Sequence, residues 1–407
     1  MKALLFRYSM PRLAAAKITS LVSAKGFVGP WAPLQLEEVP EPRLMADDWV
    51  LVKNRLTGIC GSDAKQVFLK GSFDNPMTAV ISFPHILGHE TVGTIEKVGP
   101  AVKGLSVGQR VVLNPWLSCG PRGIQPPCAA CAVGDFSMCE NFTSGRLPAG
   151  IHMGNCQAVG GAFAPYYSAH ESQLIPVSDG ITDTQAVLSD PFSVQLHAIL
   201  RHPPQTDLPA VVYGCGTLGL MNIAALRTLY PELPVWAIAR HPHQAQRARE
   251  LGASEILPTR PLELIERVAK LLGVTPYKPW KGLPWLVKGS GTVYDTVGSP
   301  GSVETAFRFA NSRAKIVVTG VEAPARFEWT PCYFKELELI GGNAFAVEEF
   351  EGQRMHAMEI YLELVRRGLD LSAMVPHRSK LEAWGKAFVA IHDKNGSHLV
   401  KASFTFD

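Results

Sequence analysis

Several absences bound what this 407-residue chain can be. No stretch approaches the ~18 uninterrupted apolar residues of a membrane-spanning helix, and no block of Lys and Arg is interleaved with aromatics as a nucleic-acid groove requires. Internal repeats and low-complexity linkers are missing as well. Charged residues make up only 18%, and the formal net charge is +3. These features predict a globular protein that acts on small molecules, with neither membrane nor nucleic acid as partner. The first 36 residues lack Asp and Glu while carrying Lys2, Arg7, Arg12, Lys17 and Lys25. A transit peptide shares that bias, but Lys2 to Tyr8 reads as a strand and Arg12 to Ala24 as an inserted amphipathic helix or hairpin before Pro30. Of the eight cysteines, four crowd between Cys119 and Cys139. That is metal spacing rather than a disulfide framework, and it points to the reducing cytoplasm. The length fits two domains of unequal size.

What is present begins with Gly58-Ile59-Cys60-Gly61-Ser62-Asp63, where a thiol, a hydroxyl and a carboxylate fall within four residues of a glycine-permitted bend. Gly88-His89-Glu90 adds an imidazole and a carboxylate, and Leu188-Ser189-Asp190-Pro191 adds an acid at an expected helix start. Zinc takes Cys, His and carboxylate ligands and keeps one position open in catalytic sites, so Cys60, His89 and Asp190 suffice for a catalytic zinc. The chain around them alternates apolar and polar residues at Leu34 to Val39, Trp49 to Thr57, Thr91 to Val98 and Val107 to Leu113, a mainly β pattern. It is interrupted by Cys119-x8-Cys128-x2-Cys131-x7-Cys139, four thiols that can close a structural zinc site; reduced surface thiols or a nucleic-acid-binding zinc ribbon would use the same residues.

At Pro209 the pattern changes to a buried strand, Ala210 to Tyr213, then Gly214-Cys215-Gly216-Thr217-Leu218-Gly219 and an apolar helix through Leu229. In this G-x-G-x-x-G the first glycine makes the turn, the second admits a pyrophosphate and the third packs helix on strand. The phosphates then sit on the helix N-terminus at Thr217 and Leu218. Alternating strands and helices follow, with strands at Val235 to Ala239, Thr292 to Asp295 and Lys315 to Thr319, as in a doubly wound parallel sheet. An NAD site usually carries an acid about 20 residues past the glycines; here Ala239 stands there, followed by Arg240 and His241. Donors without a repelling carboxylate favour NADP(H) over NAD(H); the alternative is that Arg240 and His241 only cap a surface loop.

Together these motifs resemble, in order and across nearly the whole chain, the zinc-containing medium-chain alcohol and polyol dehydrogenases. Further matches are Gly161-Ala162-Phe163-Ala164-Pro165-Tyr166 and Leu251-Gly252-Ala253. The resemblance implies an α/β architecture, a GroES-like β-domain with both zinc sites (1–190 and 345–407) around a Rossmann domain (191–344). It implies Cys60 and His89 as zinc ligands, with Asp190 where one branch of the family has its acidic third ligand and Cys156 as its rival. It also implies Glu90 as a carboxylate able to approach the metal, Ser62 as the hydroxyl taking the substrate proton, Asp63 as the acid orienting His89, and a homodimer or homotetramer. Lys65 stands where many members place a relay histidine, so the proton passes to Lys65 or to ribose and water. The Cys119 to Cys128 gap exceeds the family's usual one, so Gly120 to Pro127 is expected to bulge outward. Trp116 either lines an apolar pocket or is structural, and segments 9–30 and 276–290 are additions. The expected activity is zinc-dependent hydride transfer between NADP(H) and an alcohol, polyol, aldehyde or ketone. Alternatives are an NAD-dependent polyol dehydrogenase, a zinc-free NADPH enone reductase, and a non-enzymatic zinc-ribbon protein.

Overall fold

Strand Trp49–Gly58 buries Val50, Val52 and Leu56 on one side and exposes Lys53 and Arg55 on the other, the alternation of a half-buried strand. It is the spine of the first of two units. In the computed structural model, which describes residues 1–71, 74–322 and 326–406, these units are Met1–Asp190 with Arg354–Asp407, and Pro191–Gln353. The spine pairs antiparallel with Glu90–Val98, Tyr166–His170 and Ala402–Thr405, and the last of these pairs parallel with His377–Lys380. Glu90–Val98 continues through Arg110–Leu113 to Leu174–Pro176. A smaller sheet places Lys2–Phe6 between Leu34–Glu38 and His85–Ile86. The register sets Gly58 opposite both Glu90 and Ser403, which brings three distant stretches of chain together beside Cys60.

The addition near residue 10 is a helix, Met10–Ser20, followed by a short turn of helix, Ala24–Val28. Leu13, Phe27 and Val28 pack onto the cluster containing Phe68, Phe163 and Phe388, while Ile18, Leu21 and Val22 stay exposed.

The second unit is a six-stranded, wholly parallel sheet in the order Glu255–Leu257, Val235–Ile238, Ala210–Tyr213, Val293–Asp295, Lys315–Val318, Glu338–Gly341. This is the doubly wound order, with the glycine-rich turn after the first strand in sequence. Helix Pro261–Leu272 puts Leu264, Ile265, Val268 and Ala269 into the core beside Phe307 and Ile316. Its i, i+3, i+4 spacing is that of a one-faced helix. In segment 276–290, Leu286 is buried in that core, Tyr277 stacks on Trp285, and Trp280 stands fully in solvent. The unit extends past residue 344 because buried Glu348 accepts from His197 at 2.5 Å and from Arg201 at 2.6 Å, which fastens strand Val347–Phe350 to it.

Candidate active site

Cys60 precedes helix Gly61–Val67, and its backbone N–H donates to Asp63 Oδ2 at 2.9 Å; Asp63 Oδ1 accepts from the Gly88 N–H at 3.3 Å. One buried carboxylate thus fastens both ligand-bearing fragments. Asp63 Oδ1 lies 3.8 Å from His89 Nδ1, an ion-pair separation and not the orienting hydrogen bond expected of it. The ligand atoms of Cys60, His89 and Glu90 all lie within 4.8 Å of one another. Asp190, in the first turn of helix Ser189–Arg201, is outside that tight group, but its Oδ2 is buried without a hydrogen-bond partner. Burial raises its pKa to about 7, against the charge of His89 and with that of Glu90. Burial would lower the pKa of His89, but Asp63 and Cys60 outweigh it and raise it. A metal would displace that proton and relieve the crowding of acids. One thiol, one imidazole, a second carboxylate and an orphaned buried oxygen fit zinc chemically.

Nothing in the sequence singles out Lys401, which is fully enclosed and forms an ion pair with Glu90. Its Nζ also donates to the Ile59 carbonyl at 3.2 Å, and a side chain at Gly58 would collide with Glu90 and Lys401. A lone Lys at the start of a strand reads as surface, so only the pairing across Gly58 reveals it. Ser62 is exposed on the first turn after Cys60, with Lys65 half-buried on the same helix. The Cys156 thiol instead faces the Pro148 carbonyl and is not among the clustered donors.

His152 was equally inconspicuous. Its ring centroid lies 4.7 Å from that of His89 and 6.0 Å from Trp116, whose indole meets it edge-on at 89°. Burial and then the neighbouring His89 lower its pKa to about 3.

The second cluster, Cys119, Cys128, Cys131 and Cys139, also brings its four sulfurs within 4.8 Å of one another. Cys119 accepts from Cys128 N and Asn141 Nδ2, and Cys139 from Asn141 N. Burial resists ionisation of Cys128, but the Glu140 and Cys131 backbone amides favour it and bring its pKa to about 7. The insert between Cys119 and Cys128 does not simply bulge outward. Gln125, Pro126 and Pro127 are exposed, but Arg122 is buried and its guanidinium donates to five carbonyls, those of Leu117, Ser144, Leu147, Pro148 and Gly150, at 2.7 to 3.1 Å.

In the second unit, Gly214 has φ +93 and turns the chain, and a side chain at Gly219 would collide with the Gly214 carbonyl. Gly216 has open space where its side chain would be and begins helix Thr217–Leu229 with no side-chain cap, so Gly216, Thr217 and Leu218 present an anion-ready helix start. After strand Val235–Ile238, Ala239 is half-buried, Arg240 is exposed, and His241 precedes helix Pro242–Glu250 with its ring stacked 5.5 Å from that of His243.

Residues 46–179 match the alcohol dehydrogenase GroES-like domain, and residues 217–358 match the zinc-binding dehydrogenase family. An L-threonine 3-dehydrogenase of Rhizobium etli is 28% identical over 384 residues, covering 94% of this chain and 97% of that protein. Among solved structures, a short chain alcohol dehydrogenase from E. coli complexed with NADH is 22% identical with a TM-score of 0.74, covering 100% of this chain and 99% of that one. A zinc-binding dehydrogenase from Sinorhizobium meliloti bound to NADP is 21% identical with a TM-score of 0.70, covering 91% and 95%.

Proposed function

Since the chain belongs to the zinc alcohol dehydrogenase superfamily of medium-chain oxidoreductases, we propose that it moves a hydride between NADP(H) and an alcohol or carbonyl substrate at a zinc held by Cys60, His89 and Asp190. The convergence of Cys60, His89 and Glu90 within 4.8 Å carries this reading. A zinc-free enone reductase would have no use for those donors, and a zinc-ribbon protein none for the glycine-rich turn and parallel sheet. When bound, zinc supplies Lewis acidity toward the substrate oxygen and the nicotinamide supplies the hydride acceptor. Asp190 is the third ligand because its buried oxygen lacks any other partner, whereas Glu90 is neutralised by Lys401. Ser62 takes the substrate proton at Oγ, and Lys65 or water receives it. Cys119, Cys128, Cys131 and Cys139 hold a structural zinc that braces their loop.

NADP(H) is preferred because no carboxylate stands at Ala239 to repel a 2′-phosphate, while Arg240 and His241 offer donors to it. The runner-up is an NAD-dependent polyol dehydrogenase, since solved relatives bind either nucleotide. Eight unpaired cysteines suit the cytoplasm, and among the described residues no helix is long and apolar enough to cross a membrane. The chain assembles as a homodimer or homotetramer, for which the strand Glu338–Gly341, outermost in its sheet among the described residues, offers an edge. Residues 1–190 with 354–407 serve as the catalytic domain and 191–353 as the cofactor domain, so 345–353 pass from the expected catalytic domain to the cofactor one.

Metal analysis combined with nucleotide titration over a panel of alcohols and carbonyls tests the reading. Asp190→Asn should lose zinc and turnover with little change in fold; full zinc and turnover would transfer the ligand role to Glu90. A charge-assisted hydrogen bond to phosphate contributes roughly 1.5 to 3 kcal/mol, so Ala239→Asp with Arg240→Ala should swing preference toward NAD(H) by about tenfold or more. Equal or better kcat/KM with NAD(H) in the unmodified protein would sink the NADP assignment and leave the zinc chemistry standing.

A further inference from the structure

We propose that His152 is the residue that selects the substrate, its Nε2 accepting a hydrogen bond from a hydroxyl or amino group on the carbon next to the one oxidised. This rests on the alcohol dehydrogenase reading and adds to it a substrate class: vicinal diols and 1,2-amino alcohols, or the matching α-hydroxy and α-amino ketones.

The hydrogen-bond direction follows from the backbone. His152 Nδ1 lies against the Met153 carbonyl oxygen, which can only accept, so Nδ1 carries the hydrogen and Nε2 presents a lone pair. Among the described residues no protein group donates to that Nε2. The residue is half-buried, and Nε2 is not among the buried polar atoms without partners, so it opens on accessible space. Ring proximity puts that space beside the metal ligands, since the His152 and His89 centroids are 4.7 Å apart. His152 does not itself belong to the group of clustered metal donors, which leaves its acceptor available to the organic ligand.

The imidazole is held as a preformed contact should be. Trp116 and His152 face each other in an antiparallel bridge, flanked by Leu117 N to Ile151 O at 3.0 Å and Met153 N to Pro115 O at 2.9 Å. The His152 N–H donates to Asn155 Oδ1 at 3.1 Å. Upstream, Arg122 grips the carbonyls of Ser144, Leu147, Pro148 and Gly150, so the approach to His152 is fixed by a buried cation and not left as a free loop. Such pre-organisation lets one hydrogen bond discriminate strongly. A simple secondary alcohol has a single oxygen, which a bound zinc would take. Only a second donor one carbon away has a reason to meet Nε2.

The test compares 2-butanol, 2,3-butanediol and 3-amino-2-butanol with the zinc-loaded full-length protein, wild type and His152→Phe. A site that pairs a substrate donor rejects the analogue lacking it, so wild type should favour one or both bifunctional substrates by about tenfold or more, expressed in KM. His152→Phe should collapse that ratio, and His152→Asn, whose amide oxygen can accept, should restore part of it. Calorimetric titration of 2,3-butanediol, 3-amino-2-butanol and 2-butanol without nucleotide gives the same comparison free of turnover. If none of the three reacts, the activity reading fails on its own, while binding still decides the role of His152. Equal loss toward all three, or equal binding by wild type and His152→Phe with zinc content retained, overturns the proposal. Which bifunctional ligand depends on His152 distinguishes a hydroxyl donor from an amino donor.

Discussion

Glu90 and Lys401 show what a single buried charge demands of its surroundings. Both side chains are 2% exposed, so neither charge can be solvated if the other is removed. Breaking such a pair costs about 3 to 5 kcal/mol, whereas neutralising both members costs far less. Lys401→Met should therefore lower stability by roughly that amount in urea denaturation, and the double variant Glu90→Gln with Lys401→Met should recover most of it. No recovery would mean that Lys401 acts through packing and not through charge. His85 offers a pH test. Its Nδ1 donates to the Ser82 carbonyl at 2.8 Å and its Nε2 accepts from Gln66 at 2.8 Å, and burial lowers its pKa to about 4. Between pH 4 and 6.5 the unfolded chain binds a proton that the folded one refuses, so stability rises with pH through that window and is lost on acidification. The difference is roughly 3 kcal/mol, and His85→Gln should flatten the pH slope by about that much relative to wild type. Cys60 and His89 were legible in sequence because metal donors with flanking glycines form recognisable fragments. Lys401, His152 and Arg122 were not, since each gains meaning only from a partner brought near by sheet register or loop closure.

The two glycine-dependent and cysteine-dependent elements separate stability from binding. Gly219 packs against the Gly214 carbonyl while Gly216 has open space around it and an extended backbone that alanine accepts. Gly216→Ala should change stability by no more than about 1 kcal/mol yet weaken dinucleotide binding by roughly tenfold or more, because the added methyl stands where the pyrophosphate approaches. Gly219→Ala should be severely destabilising, since relief of the clash must move the helix off its strand. Thermal melting and fluorescence titration of the two variants distinguish these outcomes; equal effects in both would contradict the division of roles. In the cysteine lobe, Arg122→Met removes donors from five carbonyls at once and should lower the melting temperature of the zinc-loaded protein more than a surface change would. That outcome was hidden from sequence because an arginine inside a proline-rich insert reads as solvent-facing. The strand-turn-helix around Gly214 was readable because its chemistry is local.

At the scale of the whole chain, two compact units imply two responses to ligands. Zinc donors lie in the first unit and the glycine-rich turn in the second. Chelation should therefore lower the transition of the first unit in calorimetry, and nucleotide at about 100 times its Kd should raise that of the second by roughly 2.7 kcal/mol. A single transition shifted equally by both ligands would show that the two cores melt together. The fold class was visible in the change from period-two strands to alternating strands and helices, whereas the assignment of residues 345–353 depends on the Glu348 contacts, which no sequence pattern displays. One consequence of the sheet order concerns time. The strand Ala402–Thr405, which pairs with Trp49–Gly58 on one side and His377–Lys380 on the other, and the cation beside it come late in the sequence, so Lys401 is made 311 positions after Glu90. At about 5 to 20 residues per second, a ribosome leaves Glu90 without its counter-charge for roughly 15 to 60 seconds. During that interval the entire second unit has been made and can fold, while the first still lacks a strand on the edge of its spine. The cluster of Cys60, His89 and Glu90 is thus among the last parts of the newborn chain to close, and a message cut short before codon 401 yields a complete second unit and a first unit whose donor cluster cannot finish.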